Sequence, residues 1–134
     1  MATRYKLLLF AAFVIAAIAC HSENPSQNPT NGQYFTVQVG SEQFVMFVTD
    51  VPTIELAVEN FQGKNHRFPS GKIAQGDGGF NQPYSWHFLP DSVRMVEASI
   101  EVCDGTPAYV DQHVPDFISV GYCPWSAKVV KVGR

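Results

Sequence analysis

Basic residues are scarce and scattered in this chain: nine lysines and arginines stand against twelve acidic residues, a net charge of −3, and no dense basic run occurs. Polyanions are held mostly by clustered Lys and Arg that release counterions, so no nucleic acid is expected as a partner. Reaction signatures are missing as well. The chain has no Gly-x-Ser-x-Gly elbow, no Cys-x-x-Cys pair, no P-loop Lys-Ser/Thr and no spaced acids of an EF-hand. No repeat at solenoid periods is visible. The residues therefore specify no reaction, and no cofactor is expected.

What is present begins with an export pattern. Arg4 and Lys6 precede an uncharged apolar run from Leu7 to Ile18, which closes in Ala17-Ile18-Ala19-Cys20. This reads as a lipoprotein signal peptide over residues 1–19, too short for a typical spanning helix. Lipidation needs a thiol at the new N-terminus and a small residue before it, which Cys20 and Ala19 supply. Each buried acyl methylene contributes about 0.8 kcal/mol, so a multiply acylated Cys20 would hold the protein on a membrane without help from the folded part. An ordinary secretory peptide cleaved near Ala17 or Ala19, leaving Cys20 free, is the alternative. Removing the leader leaves seven basic residues against twelve acidic ones.

Residues 20–33 are polar and punctuated by Pro25 and Pro29, a composition that cannot bury enough apolar surface to order itself, and read as a tether. Residues 34–134 have the size of one small domain. With Cys20 assigned to the anchor, Cys103 and Cys123 form an even pair in a compartment where disulfides persist. A structural bridge is the expectation; a redox or metal-binding pair is the alternative.

Within the domain, Phe35, Val37 and Val39 alternate with polar residues up to a Gly40-Ser41 turn. The run Phe44 to Val48 follows, which completes a hairpin. Its second strand is apolar on both faces, which predicts a central position covered from both sides. Asp50 and Pro52 open a helix with Ile54, Ala57, Val58 and Phe61 on its apolar face, and Gly63 closes it. Gly76-Asp77-Gly78-Gly79 reads as a turn, with an anion or calcium cradle as the competing reading. Tyr84 to Phe88 is strand-like, and Val93 to Val102 alternates so that Val96, Ala98, Ile100 and Val102 share one face. Thr106-Pro107 opens a second helix that Pro115 ends. Val129, Val130 and Val132 form a final strand, with Lys128 and Lys131 suited to a sheet edge. The expected fold class is α+β, a small mixed or mostly antiparallel sheet with two helices and one disulfide.

Candidate site residues are polar or aromatic side chains in turn-rich contexts. Strand alternation puts Trp86 and Phe88 on one side, with Ser85 and His87 on the other. His87 is either a half-buried histidine bonded to backbone or an acid, or a ligand contact. A metal role would need Asp77, Asp104 or Asp111 gathered beside it. Phe80, Tyr84, Trp86, Tyr122 and Trp125 bracket the loops beside the presumed sheet, as core filling or as a stacking platform for sugar or peptide. Asp77, Phe80, Tyr84, Trp86, His87 and Trp125 are thus the expected binding residues, with no catalytic or metal residue assigned.

Four segments occur together: Gly76-Asp77-Gly78-Gly79-Phe80-Asn81-Gln82-Pro83-Tyr84-Ser85-Trp86-His87-Phe88, Ile100-Glu101-Val102-Cys103-Asp104-Gly105, Tyr109-Val110, and Tyr122-Cys123-Pro124-Trp125-Ser126. As an ordered set they resemble a family of small secreted domains, that of the BP seventy-four N-terminal domain, over most of Tyr34 to Val132. The resemblance implies an extracytoplasmic α+β module with a Cys103–Cys123 bridge; it implies no reaction, substrate or catalytic residue. The expectation is a membrane-anchored extracytoplasmic lipoprotein, held through lipidated Cys20, whose domain binds a protein, peptide or glycan. A secreted hydrolase or metal-dependent enzyme using His87 and nearby acids is the second reading, and an inhibitor of secreted hydrolases the third.

Overall fold

A computed structural model of the protein describes residues 31–134. The expected leader, Cys20 and the tether up to residue 30 lie outside the described residues. Strands β1 (Gln33–Val39) and β2 (Glu42–Val48) form the expected hairpin, with Gly40 at φ 61° in the two-residue turn. Alternation puts Phe35, Val37 and Val39 of β1 and Phe44, Met46 and Val48 of β2 into the core. Strand β7 (Lys128–Val132) joins β1 antiparallel on its other side, with an irregularity between Thr36 and Val37, so β1 is the central strand.

The expectation that β2 is central is therefore corrected: β2 lies at an edge. Its second apolar face is covered locally, by Phe47 packing against Tyr34 with ring centroids 4.5 Å apart and against Phe80 at 6.5 Å. Its edge is closed by the fully buried Asn81. The Asn81 Oδ1 accepts the Val45 N–H at 2.8 Å, and its Nδ2 donates to the Trp86 carbonyl at 2.8 Å. Leaving either backbone group unpaired in the interior would cost about 1–3 kcal/mol.

Helix α1 (Val51–Phe61) starts as expected. Asp50 Oδ2 accepts the Thr53 N–H at 3.1 Å and its hydroxyl at 2.6 Å, and Pro52 fits the first turn because its missing N–H is not needed there. The buried face differs, consisting of Thr53, Ala57 and Asn60, while Phe61 is exposed. Asn60 sets this rotation. Its Oδ1 accepts the Val129 N–H on β7 at 2.9 Å and its Nδ2 donates to the Arg67 carbonyl at 2.8 Å, so the helix turns an amide inward in place of a phenyl ring.

Two short antiparallel ladders complete the sheet structure: β3 (Phe68–Ser70) with β6 (Arg94–Val96), and β4 (Ile73–Gln75) with β5 (Trp86–Phe88). The strand expected to reach Val102 stops at Val96, which pairs with Phe68, the first residue of β3. Ile100 and Val102, expected to share one face of that strand with Val96, lie beyond it and are each 64% exposed, and Glu101–Cys103 form a 3-10 turn. Without a partner strand, alternation alone does not make a sheet.

Thr106 Oγ1 caps α2 (Pro107–Gln112), accepting the Tyr109 N–H at 3.2 Å. Pro115 then opens a third helix, α3 (Val114–Val120), at the position where proline suits a first turn, so there is one helix more than the two expected. Cys103 and Cys123 are bonded, with Cα atoms 5.1 Å apart, and the loop they close contains both α2 and α3. The class is α+β. No helix among the described residues is long and apolar enough to cross a membrane.

Candidate functional site

The glycine-rich turn and β5 build one side of the candidate site. Asp77 Oδ1 accepts the Gly79 N–H at 2.8 Å, and the Asp77 carbonyl accepts the N–H groups of Phe80 at 3.2 Å and Asn81 at 2.9 Å. His87, half-buried, places Nδ1 2.7 Å from the Gly76 carbonyl. A carbonyl only accepts, so Nδ1 carries the hydrogen. Phe80 meets the imidazole edge-on at 5.7 Å. Gly78 is required beneath the ring: its φ is +64°, and an added Cβ would lie 2.7 Å from the imidazole. Turn, phenyl and imidazole thus form one packed unit, with His87 bonded to backbone.

The Gly79 amide, chiefly, holds the Asp77 carboxyl below its ordinary value of 3.8. A depressed folded-state value means a stabilising contribution that is present above pH 3.8 and is lost as pH falls through the lowered value. Asp77→Asn is therefore expected to be less stable than wild type at neutral pH, with the gap closing on acidification below 3.8; parallel thermal melts across pH check this. A gap that persists unchanged at lower pH would assign the effect to geometry rather than charge.

Trp86 sits behind this unit with no exposed surface. Its Nε1–H donates to the Pro107 carbonyl at 3.2 Å, and its ring packs against Tyr122 at 5.1 Å and Phe44 at 5.4 Å. Half-buried Tyr84 lies 5.8 Å from it, its hydroxyl pushed above the ordinary value by burial and then by Glu42 and Asp111. Trp125 stands elsewhere, just before β7, 42% exposed. Its backbone N–H donates to Asp104 Oδ1 at 2.9 Å, and the residue borders a pocket of about 290 Å³ with His66, Ser126 and Lys128. The structure thus brings Asp77, Phe80 and His87 together, places Trp86 in the core behind Tyr84, and leaves Trp125 on a separate rim.

The parts of the hydrolase reading are engaged with other groups. Ser85 donates its hydroxyl to Asp111 Oδ1 at 2.8 Å, while His113 faces the Tyr109 carbonyl at 2.8 Å. Among the described residues no serine hydroxyl is hydrogen-bonded to a histidine, and no three His, Cys, Asp or Glu side chains converge as a metal site. Sequence reasoning passed over Asn81 and Asn60, whose only signal was an amide set among apolar or turn residues.

This geometry defines a disulfide-pinned α+β domain with a turn-imidazole unit on one side and an exposed indole on another. The chain belongs to the BP seventy-four N-terminal domain family, whose family model matches residues 31–134. No curated protein and no solved structure matches the chain.

Proposed function

We propose that the chain is an exported lipoprotein, anchored to a membrane through acylated Cys20, whose domain binds a protein, peptide or glycan outside the cytoplasm. The observation that carries the binding reading is Trp125. Trp125 is 42% exposed, and its backbone is fixed by the Asp104 carboxylate and by the Cys103–Cys123 bridge two residues away, so a large aromatic side chain is offered to solvent from an anchored main chain. Asp77, Phe80, Tyr84 and His87 supply a second polar and aromatic rim, and Trp86 supports it from the core. A binding module needs only such surfaces, whereas a hydrolase needs a nucleophile, a base and an orienter within reach of one another.

The test has two arms. Intact mass of the membrane-extracted chain is expected to show acyl groups on Cys20, and Cys20→Ser is expected to release it to the soluble fraction; a variant that stays on the membrane removes the anchor. Glycan and peptide arrays probed with the full chain are expected to give binders whose signal falls about tenfold in Trp125→Ala, roughly 1.4 kcal/mol, and is unchanged in Tyr109→Ala. Equal loss in both variants, or in neither, removes Trp125 as the contact.

A further inference from the structure

The pocket beside Trp125 lies between the C-terminal end of α1 and the turn that leads into β7. Its inner wall is engaged by the fold. Asn60 Nδ2 donates to Asn65 Oδ1 at 3.0 Å while its Oδ1 holds the Val129 N–H, and Asn65 Nδ2 donates to the Leu56 carbonyl at 3.0 Å. The Val58, Glu59 and Asn60 carbonyls accept the N–H groups of Gln62, Lys64 and Gly63, so these acceptors at the helix end are already paired. The turn is fixed by the Ala127 N–H on the Pro124 carbonyl at 3.1 Å and by the Trp125 N–H on Asp104.

The rim is not engaged. His66, Ser126 and Lys128 are exposed, and among the described residues their side chains take part in no hydrogen bond and no ion pair. No Asp or Glu lines the pocket, and Asp104, which holds the Trp125 backbone, is not a lining residue. Lys128 is therefore the one fixed charge in the lining, a local attraction for an anion on a chain of net charge −3. The apolar part of the lining is small, consisting of Trp125 and the buried Ala127. At about 290 Å³ the hollow stands at the lower limit of ligand sites, about 300–1,000 Å³, a size suited to a single ring.

Resting on the reading of Trp125 as the contact surface, we infer that this pocket takes one hexuronic acid residue of an acidic glycan. The sugar lays its C–H face on Trp125, directs its carboxylate to Lys128 and bonds its hydroxyls to Ser126 and His66. A pyranose has an apolar face and a polar edge, which matches one aromatic residue set among polar ones; an apolar peptide side chain would need walls that only Trp125 and Ala127 provide. Charge then selects a uronic acid over a neutral sugar, because the lining carries an ammonium and no carboxylate. The polar side chains left without a partner by the fold are those the sugar bonds.

The experiment titrates the isotopically labelled full chain with a trisaccharide of 1,4-linked galacturonic acid and, separately, with its methyl ester, which keeps the ring shape and removes the charge. Expected are amide shifts at Gly63, His66, Ser126 and Lys128, and about tenfold weaker binding of the ester. Lys128→Gln is expected to weaken binding of the acid about tenfold and Lys128→Arg to restore it. Lys72→Gln removes the same charge at an exposed residue outside the pocket and is expected to leave the affinity unchanged. Equal binding of acid and ester would overturn the inference, as would equal losses in Lys128→Gln and Lys72→Gln. Absence of binding at millimolar sugar, or shifts confined to residues outside the pocket, would overturn it too. Tighter binding of acetyl-Gly-Gly-Ala with a free C-terminus would assign the pocket to peptide carboxylates instead and would also overturn it. The Trp125 reading is judged apart from these outcomes: array signals that fall in Trp125→Ala but not in Lys128→Gln keep the surface and remove the acidic sugar.

Discussion

Trp86→Ala is expected to lose about 4 kcal/mol of unfolding free energy, more than a quarter of the roughly 5–15 kcal/mol typical of a small domain. The size follows from position. The indole is fully buried among Phe44, Phe88 and Tyr122, so its removal leaves a cavity that the surrounding elements cannot all collapse into. The Pro107 carbonyl also loses its Nε1–H donor. Urea unfolding measures the loss, with Trp125, the other of the two tryptophans, as the remaining fluorophore. Trp86→Phe, which keeps an aromatic ring and removes the donor, is expected to lose less than half as much. A loss under about 1 kcal/mol for the alanine variant would contradict the core position.

The second large effect is expected from Cys103→Ala/Cys123→Ala. The bridge spans a sequence separation of 20, and opening a loop of that length costs about 3 kcal/mol in the chain-entropy account. The loop carries α2 and α3, so it also holds Pro107 under the Trp86 indole and Phe117 against Tyr122. Wild type unfolded in the presence of reductant is expected to match the double variant in air. A wild type indifferent to reductant, with stability equal to the variant in both conditions, would show that the bridge adds nothing.

The parts of the fold that could be read from the sequence are those whose determinants lie close together in the chain. The hairpin is marked by alternation around Gly40-Ser41, and α1 by Asp50 and Pro52 within a single turn. The misplaced features depend on distant partners. The rotation of α1 is decided by a bond from Asn60 to Val129, 69 residues away, and the edge position of β2 by what pairs with β1. Val93 to Val102 reads as one strand because its pattern is right, but β3 is too short to pair with the second half. The candidate site shows the same division. The Gly76–Gly79 turn beneath His87 is local and legible, whereas the seating of Trp125 depends on the bond from its backbone N–H to Asp104, 21 residues away.

Both outer strands of the three-stranded sheet have one amide engaged by an asparagine: Asn81 on Val45 and Asn60 on Val129. Each of these amides is bonded at its other end as well, to Trp86 and to Arg67. Fibril growth by stacking copies flank to flank would have to strip away a satisfied carboxamide before the first new rung could form. The same two side chains that orient the fold therefore guard it against polymerisation, a protection that matters most where many molecules are crowded together.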